Sequence, residues 1–143
     1  MADVHDRKTR SYNMSRILAE NTKPEIIVRK FLFSQGFRYK LHDKTLPGKP
    51  DIVLPKYRIA ILVHGCFWHG HEGCAYFVVP KTRTDWWLDK INSNKERDDR
   101  NLKDLLNRNL TILTIFECQL RPKKRERTLT NLLLSLKQSL PHE

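Results

Sequence analysis

Residues 51–66 read DIVLPKYRIAILVHGC. DIVLP and RIAILVH are short apolar runs separated by Pro55-Lys56-Tyr57-Arg58, the pattern of two strands joined by a tight connection. The unbroken run from Ile59 to Val63 suits a central strand in a sheet covered on both faces. A hairpin centred between Lys56 and Tyr57 sets Asp51 opposite Leu62. A carboxylate therefore lies beside the exit of a central strand, one residue from Val63 and two from His64.

Upstream, Thr22-Lys23-Pro24-Glu25 has the form of a capping box, in which Thr22 accepts from the backbone at Glu25 and Glu25 reaches back. It predicts a helix ending at Gly36 and burying Ile27, Val28, Phe31 and Leu32. FRYKLHD then reads as a strand and LPGKP as a turn. Downstream, residues 84–107 are highly charged but keep helical spacing at Trp87, Ile91, Leu102, Leu105 and Leu106. TILTIFE follows as a strand, and LTNLLLSLKQSL as a short amphipathic closing helix. A helix linking RIAILVH to TILTIFE is a crossover, so these two strands are parallel. The sum is an α/β fold with a mixed central sheet flanked by helices, one domain over residues 22–143.

Residues 1–21 are different in character. They carry Arg7, Lys8, Arg10 and Arg16 without a sustained apolar period, which predicts an arm that orders on a partner. Met14 is its conspicuous large apolar residue, and packing on the core beside a short helix is an equal reading for it. Across the 143 residues, 27 Lys and Arg oppose 16 Asp and Glu, a formal net charge of +11. Such a surface favours a polyanion, because Lys and Arg contacts release counterions condensed on nucleic acid. No apolar stretch is long enough to span a bilayer or serve as a signal peptide, so the expectation is a cytoplasmic protein without membrane contact.

The chain has 3 cysteines, an odd number that argues against a disulfide framework. Two of them fall in HGCFWHGHEGC, residues 64–74. Cys66 follows one parallel strand and Cys118 the other, and parallel strands end on the same side of a sheet. With His71 and Cys74 they form a Cys3His set suited to tetrahedral Zn2+, with every position filled and the metal therefore structural. His69 remains in the pinned loop on the side of Asp51, where an imidazole can act as general base for a water. Asp51 and the Val63 carbonyl offer oxygen ligands to Mg2+, with a substrate phosphate completing the set. That describes metal-assisted phosphodiester hydrolysis. Phe67 and Trp68, held rigidly at a basic surface, can wedge between bases or can belong to the core.

LPGKPDIVLPKYR, HGCFWHGHEGC, TRTDWWLDKI with NKERDDR, ECQLR and the opening MADVHDRKTRSYNMSRI together resemble the very-short-patch repair endonucleases, in the same order over residues 1–121. The resemblance implies a monomeric, restriction-endonuclease-like fold and a bacterial enzyme, nucleoid-associated when bound. It also implies nicking of double-stranded DNA 5′ of the thymine in a T:G mismatch left by 5-methylcytosine deamination, with Mg2+ for chemistry and Zn2+ for structure. Carried onto this chain, Asp51 and the Val63 carbonyl hold Mg2+, His69 is the base and His64 assists at the phosphate. Glu25, Asn94 and Asp98 complete the polar shell. Cys66, His71, Cys74 and Cys118 bind Zn2+. Phe67, Trp68 and Trp87 enter DNA from the major groove, Met14 meets it from the minor groove, and Lys90 lies near the mismatched bases.

The chain departs from the family in carrying Gly70 and Glu72-Gly73 where a run of histidines is expected. It departs from the wider PD-(D/E)xK nuclease pattern as well, because Val63-His64-Gly65 stands where an acid and a lysine belong. A related restriction endonuclease cutting matched duplex is the alternative within this class. A zinc-stabilised DNA-binding module is the non-enzymatic one, but it leaves Asp51, His64 and His69 without a role.

Overall fold

The computed structural model describes residues 22–139, so the basic arm and Met14 lie outside the described residues. Thr22 Oγ1 accepts from the Glu25 N–H at 3.4 Å and Pro24 occupies the first turn, which starts helix α1 (Lys23–Ser34). Glu25 does not reach back to complete the capping box. Its carboxylate turns inward to His42, a tertiary partner that outcompetes the local one. The helix ends as expected at Gly36, whose φ of +83° suits a residue without Cβ.

The sheet has four strands in the order β1 (Lys40–Leu41), β2 (Ile52–Leu54), β3 (Ile59–His64) and β4 (Thr111–Phe116). β1 is much shorter than the expected strand FRYKLHD. Phe37 and Tyr39 pack on the core, and His42 at φ +48° carries the chain out of the sheet. β2 and β3 are antiparallel with Ile52 facing Ile61 and Leu54 facing Ile59. Continued by one residue, this register sets Asp51 opposite Leu62. A 3-10 turn, Pro55–Tyr57, and the left-handed Arg58 close the hairpin. β3 and β4 run parallel, from Ile59 beside Thr111 to His64 beside Phe116.

Helix α2 (Thr84–Asn107) makes the crossover within its expected bounds. Helix α3 (Pro122–Gln138) follows a 3-10 turn at Glu117–Leu120 and begins well before the expected closing helix. Its first turns, PKKRER, are fully polar and so carry no apolar period, while Pro122 at the first position nucleates the helix. Alternation along β3 divides the interior into two layers. Ile59, Ile61 and Val63 pack with Val28 and Leu32 of α1 and with Leu132 and Leu136 of α3. Ala60 and Leu62 point to the opposite face. There α2 buries Ile91 and Leu105, while Leu106, expected on the apolar stripe, is exposed. Among the described residues no helix is long and apolar enough to cross a membrane.

Candidate active site and metal cluster

The start of β2 and the exit of β3 open into a cleft of about 480 Å³ lined by Glu25, Asp51, Val63, His64, His69 and Asp98 among others. Asp51 Oδ2 accepts from the Val63 N–H at 2.8 Å. The N–H and C=O of one strand residue point to the same edge, so the Val63 carbonyl also faces the Asp51 side. Burial pushes the Asp51 carboxyl up from its usual range to about 6; the Val63 N–H opposes this shift, the Glu25 charge adds to it, and His42 and His69 moderate it. A carboxylate held against its own desolvation is suited to gaining a cation. Asp51 and the Val63 carbonyl thus fit a hard divalent ion of the Mg2+ type.

Across the cleft, His69 Nδ1 donates to Asp98 Oδ2 at 2.6 Å. A carboxylate only accepts, so the ring proton sits on Nδ1 and the Nε2 lone pair is left to take another. The His64 ring stacks on His69 with centroids 3.8 Å apart and planes 2° from parallel. Burial, reinforced by His69, lowers the His64 imidazolium to about 4, so His64 is neutral at pH 7. Asn94 does not line the cleft. Its side-chain amide donates to the Trp68 carbonyl at 3.0 Å and its Oδ1 accepts from Arg97 at 2.8 Å, which ties α2 to the loop that carries His69.

Beneath that loop lie Cys66, His71, Cys74 and Cys118, with one ligand atom of each within 4.8 Å of all the others. β3 delivers Cys66 and the turn after β4 delivers Cys118, as the parallel topology requires. The Cys118 N–H donates to Cys66 Sγ at 3.3 Å, and Cys118 Sγ faces His71 Nδ1 at 3.5 Å. The His71 N–H donates to the Cys66 carbonyl at 2.9 Å, and its ring stacks on Phe116. Burial pushes the Cys66 thiol up to about 12, a poor environment for a lone thiolate and one that a cation corrects. Three sulfurs and one imidazole nitrogen converging in this way fit a closed tetrahedral zinc site.

Phe67, Trp68 and Trp87 form one half-buried aromatic cluster with centroids 5.1 to 5.8 Å apart. The two loop rings and Trp87, in the first turn of α2, brace each other. The adjacent Trp86 meets Trp87 edge-to-face with ring centroids 4.8 Å apart and is 48% exposed, with the Arg83 guanidinium 4.9 Å above its ring. Lys90 is exposed one turn beyond Trp87. Sequence reasoning missed His42, the partner of Glu25, although the β1–β2 register carries it opposite Asp51.

A profile of the family described as DNA mismatch endonuclease Vsr matches residues 2–75. The chain belongs to the Vsr family. It is 45% identical over 125 residues to DNA mismatch endonuclease Vsr of Escherichia coli, covering 87% of this chain and 80% of that protein. It is 47% identical over 123 residues to the type II nicking enzyme V.NmeAIP of Neisseria meningitidis, covering 86% and 87%. It is also 43% identical over 120 residues to V.XorIIP of Xanthomonas oryzae, another type II nicking enzyme, covering 84% and 88%. The Vsr-family cleft described here is therefore that of a DNA endonuclease or nicking enzyme.

Proposed function

We propose that this Vsr-family protein nicks double-stranded DNA on one strand, 5′ of the thymine of a T:G mismatch produced by deamination of 5-methylcytosine, acting as a monomer. The observation that carries this reading is the convergence of Asp51, Val63, His64, His69 and Asp98 on one cleft, beside an aromatic cluster on a loop anchored by a Cys3His set. One such cleft among the described residues supports one cut per binding event.

Mg2+ held by Asp51 and the Val63 carbonyl supplies, when bound, positive charge to the phosphate oxygens and acidifies a nearby water. His69 Nε2 takes the proton from the attacking water, and Asp98 fixes the tautomer and steadies the imidazolium that forms. Neutral His64 buttresses the His69 ring and offers a hydrogen bond at the phosphate. Glu25 completes the acidic wall. Asn94 acts on the polar shell by fixing the Trp68 backbone, the residue before the base. Zn2+ on Cys66, His71, Cys74 and Cys118 holds the loop in place. Phe67, Trp68 and Trp87 are the wedge for the major groove, Met14 the contact from the minor groove, and Lys90 the cation nearest the mismatched bases. The +11 net charge supplies attraction to the phosphate backbone.

Asp98→Asn is expected to fold normally and slow nicking by about 10²-fold or more. The amide can donate to Nδ1 and so favour the tautomer in which Nε2 carries the proton. Single-turnover nicking measures the loss, and an unchanged rate contradicts the dyad.

A second reading, nicking or cutting of matched duplex, is favoured by relatives whose names are type II nicking enzymes. The test compares two otherwise identical duplexes, one with a single T:G mismatch and one fully paired, with and without Mg2+. Cleavage of the mismatched duplex only, and only with Mg2+, supports the repair reading. Equal cleavage of the paired duplex supports the second.

A further inference from the structure

We propose that His42 is a positioning residue of the nicking site, holding the Glu25 carboxylate beside Asp51 so that the pair presents a preformed acidic seat to a divalent cation. This rests on the reading of Asp51 as a Mg2+ ligand and extends it to a residue outside the cleft lining.

Three observations meet at His42. The β1–β2 register, Lys40 beside Val53 and Leu41 beside Ile52, carries His42 opposite Asp51. The His42 N–H donates to the Asp51 carbonyl at 3.0 Å, which ties the backbones of the two residues together. His42 has φ +48°, a left-handed conformation uncommon for a residue with a Cβ and one that surrounding structure must hold in place. Its side chain then lies against α1, where Nε2 donates to Glu25 Oε1 at 2.5 Å, the two side chains being 12% and 2% exposed.

Glu25 is the more telling partner. Its second oxygen, Oε2, is buried without a hydrogen-bond partner, and a buried carboxylate oxygen left unpaired is costly. One ligand atom from each of Glu25, His42 and Asp51 lies within 4.8 Å of the others. The cost is offset when a cation, or the water around it, gives Oε2 its missing partner. Glu25 and Asp51 line the cleft and His42 does not, so His42 acts through Glu25. Its hydrogen bond to Oε1 stops the carboxylate from rotating and leaves Oε2 as the acceptor on offer. Alanine removes that restraint, whereas glutamine retains an amide donor able to replace the ring N–H.

The test titrates Mn2+ into the full-length, zinc-loaded protein without DNA and reads free ion by electron paramagnetic resonance. The nicking rate is measured in parallel against Mg2+ concentration. His42→Ala is expected to weaken Mn2+ binding about tenfold and to raise the Mg2+ needed for half-maximal nicking in proportion, while His42→Gln stays within about threefold of wild type. Mn2+ affinity unchanged in His42→Ala, or as weak in His42→Gln as in His42→Ala, overturns the role of His42. Asp51→Ala separates the two levels. If it abolishes Mn2+ binding while His42→Ala does not, only the His42 proposal fails. If wild type shows no Mn2+ binding, or binding indifferent to Asp51→Ala, the cation seat and the role of His42 fail together.

Discussion

Asp51→Asn is expected to abolish nicking and, in Mg2+-free buffer at pH 7, to make the protein more stable. Burial raises the folded-state carboxyl from its usual range to about 6, so between about pH 4 and 6 the folded chain binds a proton that the unfolded chain has released. Stability contributed by the protonated form is lost as pH rises through that window, and at pH 7 the ionised side chain is a burden on the folded state. A displacement of about two pH units corresponds to roughly 3 kcal/mol at most. The amide carries no charge and its oxygen can still accept from the Val63 N–H, so Asp51→Asn should gain roughly 1–3 kcal/mol at pH 7. The gain should shrink as pH falls toward 5. Nicking should drop by about 10³-fold or more, because the amide contributes no negative charge toward a cation. Urea denaturation at the two pH values and single-turnover nicking check both halves. A destabilised Asp51→Asn protein contradicts the strained carboxylate, and retained nicking contradicts its role.

Cys118→Ala is expected to lower zinc from about one per chain to a small fraction and to destabilise the protein by roughly 3–5 kcal/mol. Zinc peptides owe nearly their whole fold to the metal. Here a core that includes Val28, Leu32, Ile61 and Leu136 contributes burial of its own, so the expected loss is smaller. A domain of this size should melt about 10–17 °C lower. Cys118 is the informative ligand because it joins the end of β4 to the loop after β3: its N–H donates to Cys66 Sγ and its own sulfur faces His71. Without that link the loop bearing Phe67, Trp68 and His69 loses its anchor, and nicking should fall with zinc content. Wild-type zinc stoichiometry in Cys118→Ala, measured by elemental analysis, contradicts the four-residue set.

The central features of the fold are legible because they rest on local pattern and strand topology. The apolar run Ile59 to Val63 and the helical spacing after Thr84 make β3 to β4 a parallel crossover, and that topology alone brings Cys66 to Cys118. The hairpin register likewise leads Asp51 to the exit of β3. Where local pattern has no content, the reading falters. α3 begins in the wholly polar PKKRER, which has no period to follow. β1 shrinks to two residues because Phe37 and Tyr39 gain more from the core than from strand pairing. Glu25 leaves its capping box for His42, 17 residues away, an exchange decided by tertiary burial and invisible to a window of neighbouring residues.

The most direct test of the account is cleavage mapping on a duplex with one T:G mismatch in a cytosine-methylation sequence, labelled on each strand in turn, with Mg2+ present. A single cut immediately 5′ of the mismatched thymine is expected, with the guanine strand intact and a fully paired control uncut. Cuts in both strands, or equal cutting of the paired control, would contradict it.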